Sequence, residues 1–199
     1  MKLVGRYTCP HVRKISIMLL EKEMPFELID IQRAGGKISA MNPLSHMPLL
    51  CTDSGERWFG SAVISDYLEE IYPTPSLLPG DCAGRRWESQ IEALADGIIN
   101  VAERLVSERQ RSPGQQLDVL LLQLRDELGG CLDWLEHQLS QGRITTQPLR
   151  LGAIAVGCAI GYLNAQRIAP GWCASRPLLV NMVGALFERN SFARTGLPG

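Results

Sequence analysis

The feature of the chain most able to do chemistry is Cys9, which stands directly before Pro10 at the start of a helical pattern. Pro suits a first helical position, because the N–H it lacks would have no intrahelical partner there. A thiol at such a place meets the positive end of the helix dipole and the free N–H groups of the first turn, and both favour thiolate over thiol. His11, Arg13 and Lys14 follow closely and could add positive potential at the sulfur. The competing reading is a buried, inert cysteine. Position 12 is Val12, so the chain has no Cys-x-x-Cys dithiol, and a monothiol mechanism needs an outside thiol to resolve it. Ser61 is the second candidate. It opens another helical run, where a hydroxyl caps the helix and the free N–H groups form an anion site. Capping alone is the commoner use of such a Ser. The three histidines, His11, His46 and His137, are far apart in sequence, and no metal-ligand spacing is present.

These residues are carried by elements of two kinds. In the first 80 residues, Lys2 to Gly5 reads as a short strand, and apolar positions from Val12 to Leu20 read as a helix. Phe26 to Asp30 alternates like a strand, and Gly35-Gly36 marks a loop. Pro48 to Cys51 and Arg57 to Phe59 flank Asp53-Ser54-Gly55 as a hairpin, and a helix runs from Ser61 to Ile71. The order is β-α-β followed by β-β-α. The second half is helical. Trp87, Ile91, Leu94, Ile98, Ala102 and Leu105 step by three or four, as do Leu117, Leu121, Leu124, Leu128, Cys131 and Leu135. Ile154 to Ala165 is apolar nearly all round and rich in Ala and Gly, which suits a helix buried on every side. Pro177 opens a last helix. Tyr72 to Gly80 contains three prolines and makes a stiff connector, so two domains are expected, 1–75 and 83–199.

Composition narrows the function classes. Hydrophobic residues make up 45% of the 199 and charged residues 21%, which is ordinary for a globular chain and argues against disorder. The 20 basic and 21 acidic residues are balanced in both halves, so neither a nucleic-acid surface nor a polybasic membrane surface is expected. The first 30 residues carry scattered charges and no clean apolar stretch, and no secretory signal is expected. The longest apolar stretch, Ile154 to Leu163, is too short to span a bilayer. The six cysteines then read as reduced thiols of a cytoplasmic protein.

Thr8 to Lys14, Asn42 to Leu50 and Gly60 to Leu68, in that order, resemble the thioredoxin-like N-terminal domain of the glutathione transferase superfamily. Ala155 to Leu163 resembles the helical domain of its bacterial members. The resemblance implies an α/β thioredoxin-like domain followed by an all-α domain, a homodimer, and glutathione as co-substrate. It also implies site residues. A Cys directly before the first-helix proline is similar to the omega class and to monothiol glutaredoxins, which makes Cys9 the reacting group. In theta-like members the working hydroxyl lies two residues before the proline, which here is Thr8. Cys9 is favoured, with thiol transfer or deglutathionylation as the reaction. Conjugation to a hydrophobic electrophile, or dehalogenation, follows if Cys9 is only a hydrogen-bond donor. Met47-Pro48 matches the family's cis-proline, where the Met47 backbone pairs with the cysteinyl part of glutathione. Ser61 matches the residue that takes the γ-glutamyl carboxylate.

The chain also departs from the family pattern. Most members have Glu or Asp before the Ser, and this chain has Gly60, so the partner of the γ-glutamyl ammonium is missing. Asp96 is a substitute if a partner subunit offers it; a solvated helix face or a helix–helix contact is its bland reading. His46 stands where relatives often carry Lys near the glycyl carboxylate, and Lys37 could reach the same group. An exposed loop is the plainer reading of both. Arg13 and Lys14 are expected on the solvent side of the first helix or in ion pairs. Arg150 and Ala153 replace the Ser/Thr and Asp of a capping box at the buried helix, whose start must be satisfied otherwise. Tyr7, His11, Ile98, Ala102 and Leu105 are expected to wall a pocket for a second substrate, with Trp172 at the domain boundary. The opposite reading of Gly60 is a non-catalytic binding or regulatory module on the same fold.

Overall fold

The computed structural model describes residues 1–30 and 41–196. The chain begins with strand β1 (Lys2–Val4), helix α1 (Pro10–Glu21) and strand β2 (Glu27–Ile29). Strands β3 (Leu49–Cys51) and β4 (Arg57–Phe59) follow, and then helix α2 (Ser61–Ile71). Lys37 and the Gly35-Gly36 loop lie outside the described residues. The four strands form one mixed sheet in the order β2-β1-β3-β4, with β1 and β2 parallel and the other pairs antiparallel. This is the expected β-α-β, β-β-α order of a thioredoxin-like sheet. Leu3, Val12, Ile15, Leu50, Ile64 and Leu68 are fully buried, so the faces of α1 and α2 that carry the apolar positions close over the sheet.

From Cys82 onward the described residues are helical: α3 (Cys82–Arg109), α4 (Asp118–Ser140), α5 (Leu151–Ala165), α6 (Pro177–Phe187) and the short α7 (Asn190–Arg194). Leu117, expected inside α4, lies just before it and is exposed. Every residue of α5 from Leu151 to Gly161 is buried, as its composition requires. This helix packs along α3 and also against α1, so it joins the sheet region to the helical region. Its glycines permit the close approach: a side chain at Gly161 would run into the Arg13 guanidinium.

The missing capping box is replaced from a distance. Glu88 of α3 accepts a hydrogen bond from the Gly152 N–H (2.8 Å), and the Leu151 N–H reaches the Leu77 carbonyl (2.9 Å). Arg150 turns back to the Leu78 carbonyl (3.0 Å). Burial pushes the Glu88 carboxyl above its ordinary value, and the Gly152 N–H and the Arg150 charge oppose that only in part. Glu88→Ala should therefore cost about 1–2 kcal/mol, the value of a buried N–H left without its cap. In a chain of this size that lowers Tm by about 2–8 °C, measurable by thermal unfolding. Glu88→Gln keeps an acceptor and should cost less; equal melting of Glu88→Ala and the parent chain would refute the assignment.

No helix among the described residues is long and apolar enough to cross a membrane.

Candidate functional site

Strand register brings three separate loops together. Val4 pairs with Leu49, and Leu49 pairs with Phe59, so the end of β1, the start of β3 and the end of β4 are neighbours at one end of the sheet. The loop after β1 carries Thr8 and Cys9, the segment before β3 carries His46, Met47 and Pro48, and β4 is followed by Gly60 and Ser61. Residues more than fifty positions apart thus share one rim.

Cys9 is the N-cap residue of α1, with Pro10 at the first helical position, as the sequence indicates. It is half-buried. The Cys9 side chain makes no capping hydrogen bond, although the nearby first-turn N–H groups of Val12 and His11 favour its thiolate. Burial nonetheless dominates and pushes the Cys9 thiol above its ordinary value, and the Glu103 charge adds to that. The expected thiolate-favouring balance is corrected on this point. The other presumed sources of positive potential are spent elsewhere. Arg13 is buried against the rings of Phe187 and Phe192, with its guanidinium 5.6 and 5.5 Å from their centroids, and it donates to the Phe192 carbonyl. Lys14 is only 1% exposed and pairs with Glu92 (2.7 Å) and Asp96 (3.4 Å). Neither lines the solvent side of α1; Lys14 realises the ion-pair alternative. Thr8 is exposed in the turn that leads into α1.

Met47-Pro48 is a cis peptide, with Pro48 buried and Met47 half-buried at the entry to β3. His46 is exposed and accepts a hydrogen bond from Asn42 Nδ2 on its carbonyl. Ser61 does not cap its helix. The N-cap is Gly60, with φ of +83° and its carbonyl accepting the Ile64 N–H, and Ser61 is the first helical residue. A left-handed φ suits glycine and strains other residues. The Ser61 hydroxyl is therefore released from capping and sits 3.5 Å from His11 Nδ1, while the first N–H groups of α2 remain available to an anion.

Asp96 is taken up within its own chain. Its Oδ1 lies 3.3 Å from His11 Nδ1 and 3.4 Å from Lys14 Nζ. Burial alone would push the Asp96 carboxyl up, but the His11 hydrogen bond and the Lys14 charge outweigh it and hold the group below the ordinary carboxylate range. The helix–helix contact is thus present, and it also brings a carboxylate within one residue, His11, of Ser61. Glu92 continues the cluster inward, accepting from Ser65 Oγ (3.1 Å).

The expected walls of a second-substrate pocket need correction. Ile98, Ala102 and Leu105 are fully buried core residues. The residues that act on the Cys9 side are Glu103, which raises the Cys9 thiol, and Tyr162, whose hydroxyl is pushed up first by burial and then by Glu103 and Cys9. Sequence reasoning missed both: Tyr162 is the one aromatic residue of α5, which is the signal that could have found it, and Glu103 carries no signal in its spacing. The Trp172 Nε1–H donates to Asn164 Oδ1 (2.7 Å). Among the described residues no cluster of His, Cys, Asp and Glu is placed to hold a metal ion.

Known proteins share this arrangement. Residues 3–76 match the family model described as the glutathione S-transferase N-terminal domain. The uncharacterized GST-like protein YibF of Escherichia coli is 46% identical over 200 residues, covering 100% of this chain and 99% of that protein. A solved glutathione S-transferase of Methylobacterium radiotolerans, in complex with glutathione sulfonate, is 30% identical, with a TM-score of 0.88 over 100% of this chain and 96% of that one. A glutathione S-transferase of Methylobacillus flagellatus with glutathione bound is 27% identical, with a TM-score of 0.89 over 99% of both chains. A thioredoxin-like sheet with a cis-proline at the rim, a helical region built round a buried helix, and near-identical length at close to half identity place the chain in the glutathione S-transferase superfamily.

Proposed function

We propose that the chain is a glutathione-dependent thiol transferase acting through Cys9 on glutathione mixed disulfides or conjugates. The observation that carries this reading is the register that gathers Cys9, Met47-Pro48 and Ser61 on one rim of the sheet. Residues 1–75 then form the glutathione-binding unit. The Met47 backbone pairs with the cysteinyl part of glutathione as an added strand edge. The first turn of α2 and Ser61 take the γ-glutamyl carboxylate. Asp96, held next to His11, takes the γ-glutamyl ammonium in place of an acid at Gly60, and His46 stands near the glycyl carboxylate. The bound state of the solved relatives supports glutathione as the ligand.

In the reaction, the Cys9 thiolate attacks the glutathione sulfur of a mixed disulfide and the other thiolate leaves and is protonated. A second glutathione, as thiolate, then attacks the Cys9–glutathione disulfide, releasing glutathione disulfide and restoring Cys9. The outside thiol is required because Val12 offers none. The family resemblance extends the reading to a cytoplasmic homodimer and a small hydrophobic or thiol co-substrate.

One observation favours a second reading. Cys9 is pushed toward its neutral form, and a neutral thiol can donate a hydrogen bond to the glutathione sulfur. Cys9, or Thr8 beside it, would then serve conjugation of glutathione to a hydrophobic electrophile. Side-by-side turnover of a cysteine–glutathione mixed disulfide and a chlorodinitrobenzene separates the two. Disulfide turnover is expected; turnover of the chloroarene alone would establish the second reading. Calorimetry with glutathione adds the binding test. Asp96→Asn should weaken binding by about tenfold, the worth of one charge-assisted hydrogen bond. Unchanged affinity would remove Asp96 from the site, and no binding by the parent chain would leave a non-catalytic module, as Gly60 suggests.

A further inference from the structure

A cavity of about 430 Å³ lies in the helical region between α3, α4 and the segment that runs from Ile168 to Arg176. That volume falls within the range of small-molecule sites, about 300–1,000 Å³. Its floor is apolar: Leu105, Leu128, Leu132 and Ile168 are all buried. The Trp172 ring forms a wall, held on one side by Asn164 and on the other by Arg176, which donates to the Trp172 carbonyl (2.7 Å).

Three arginines stand round this floor, and their charges are unequally matched. Arg176 is paired with Asp133 at 2.6 Å. Arg109 donates to the carbonyls of Ile168 (2.9 Å) and Arg167 (3.5 Å), which are neutral acceptors, and it makes no ion pair among the described residues. Arg125 is exposed and has no hydrogen-bond or ion-pair partner among the described residues. An apolar floor and an aromatic wall beside two unmatched guanidinium groups call for a ligand with a flat apolar body and one anionic head.

No residue of the Cys9 rim, Cys9, Met47, Pro48 and Ser61 included, lines this cavity. Glu103 of α3 acts on the Cys9 thiol through its charge. Leu105, two residues on, projects about 200° round the same helix, and Arg109 about 240°. Leu105 and Arg109 thus project away from Glu103.

We propose that this cavity binds a small aromatic carboxylate, with Arg125 and Arg109 on the carboxylate and the ring laid against Trp172 and the leucine floor. The proposal does not depend on the function assigned to Cys9. It is tested by calorimetry of the full chain with 2-naphthoate, with neutral 2-naphthamide as the matched control and saturating glutathione present throughout. Naphthoate should bind, and naphthamide should bind at least about tenfold more weakly. Arg125→Gln, at an exposed position, should weaken naphthoate by about tenfold. Gly129 lines the cavity and a Cβ there would meet nothing within 4 Å, so Gly129→Leu should fill the space and abolish binding. Absence of naphthoate binding, competition by glutathione in a titration begun without it, or Arg125→Gln binding like the parent chain would each overturn the proposal.

Discussion

Cys9→Ser and Cys9→Ala are expected to lower turnover of a glutathione mixed disulfide by on the order of 10³-fold, about 4 kcal/mol of barrier, with glutathione affinity little changed. A serine hydroxyl cannot replace the sulfur, because it is far less ionised near neutral pH and forms no disulfide. The pH profile gives a sharper check. Burial pushes the Cys9 thiol above its ordinary value, and the N–H groups of Val12 and His11 do not restore it. The thiolate is the reacting form, so the rate should keep rising as pH climbs through and beyond the ordinary thiol range. Alkylation of Cys9 by iodoacetamide reads the same ionisation without substrate, once the exposed Cys82 and Cys173 and the half-buried Cys51 and Cys131 are replaced. Glu103→Gln removes the like charge and should shift that profile to lower pH. A rate already level at pH 7 would mean that the helix end, not burial, governs the sulfur. Full turnover in both Cys9 variants would remove the thiol from the mechanism.

The second large effect concerns stability. Lys22 and Glu69 form an ion pair at 2.6 Å, with side chains only 0% and 2% exposed. The Lys22 ammonium also donates to the carbonyls of Tyr72 (2.7 Å) and Pro75 (2.9 Å), which uses all three of its donors. Glu69 accepts the Leu77 N–H (3.1 Å) and the Ser76 hydroxyl (3.3 Å). One buried pair thus fastens the proline-rich connector to the end of α1 and to α2. Lys22→Met leaves a buried carboxylate without its counter-charge and two carbonyls without a donor. Such a break costs about 3–5 kcal/mol, or about 6–20 °C in Tm for a chain of this length. The double variant Lys22→Met/Glu69→Leu should recover only part of that loss. It removes the orphaned charge, but the carbonyls of Tyr72 and Pro75 and the Leu77 N–H still lack partners. A single-variant loss below about 1 kcal/mol would show that water reaches the pair and screens it.

The helices were legible because their apolar spacing repeats. The runs from Trp87 to Leu105 and from Leu121 to Leu135 lie inside α3 and α4, and the all-round apolar stretch is the buried α5. The site was legible where a backbone demand leaves a residue signature. Cys9-Pro10 marks a helix start, and Met47-Pro48 marks the rim by resemblance. It was illegible where distant partners decide. Ser61 reads as a cap, yet the glycine before it takes that role and frees the hydroxyl for His11. Ile98, Ala102 and Leu105 read as walls of a pocket beside Cys9, yet all three are buried in the core, and Leu105 lines a different cavity. Lys14 reads as a solvent-side charge or an ion-pair partner, and only folding shows that its partners are Glu92 and Asp96, about eighty residues later, and that the cluster is buried.

The opening feature shows where the two sources of information divide. Sequence alone determined that a thiol sits at a helix N-terminus, that no second thiol stands three residues on, and that an α/β half precedes an all-helical one. Those facts depend on neighbours within a few residues, and local spacing encodes them. Tertiary structure alone decided the direction in which that thiol shifts, because burial of the sulfur and the Glu103 charge of α3 both depend on the fold. It also decided where the Asp96 carboxylate goes: only folding brings it within 3.3 Å of His11 and 3.4 Å of Lys14. Coulomb and desolvation energies depend on distance through space, and the spacing of residues along a chain does not record it.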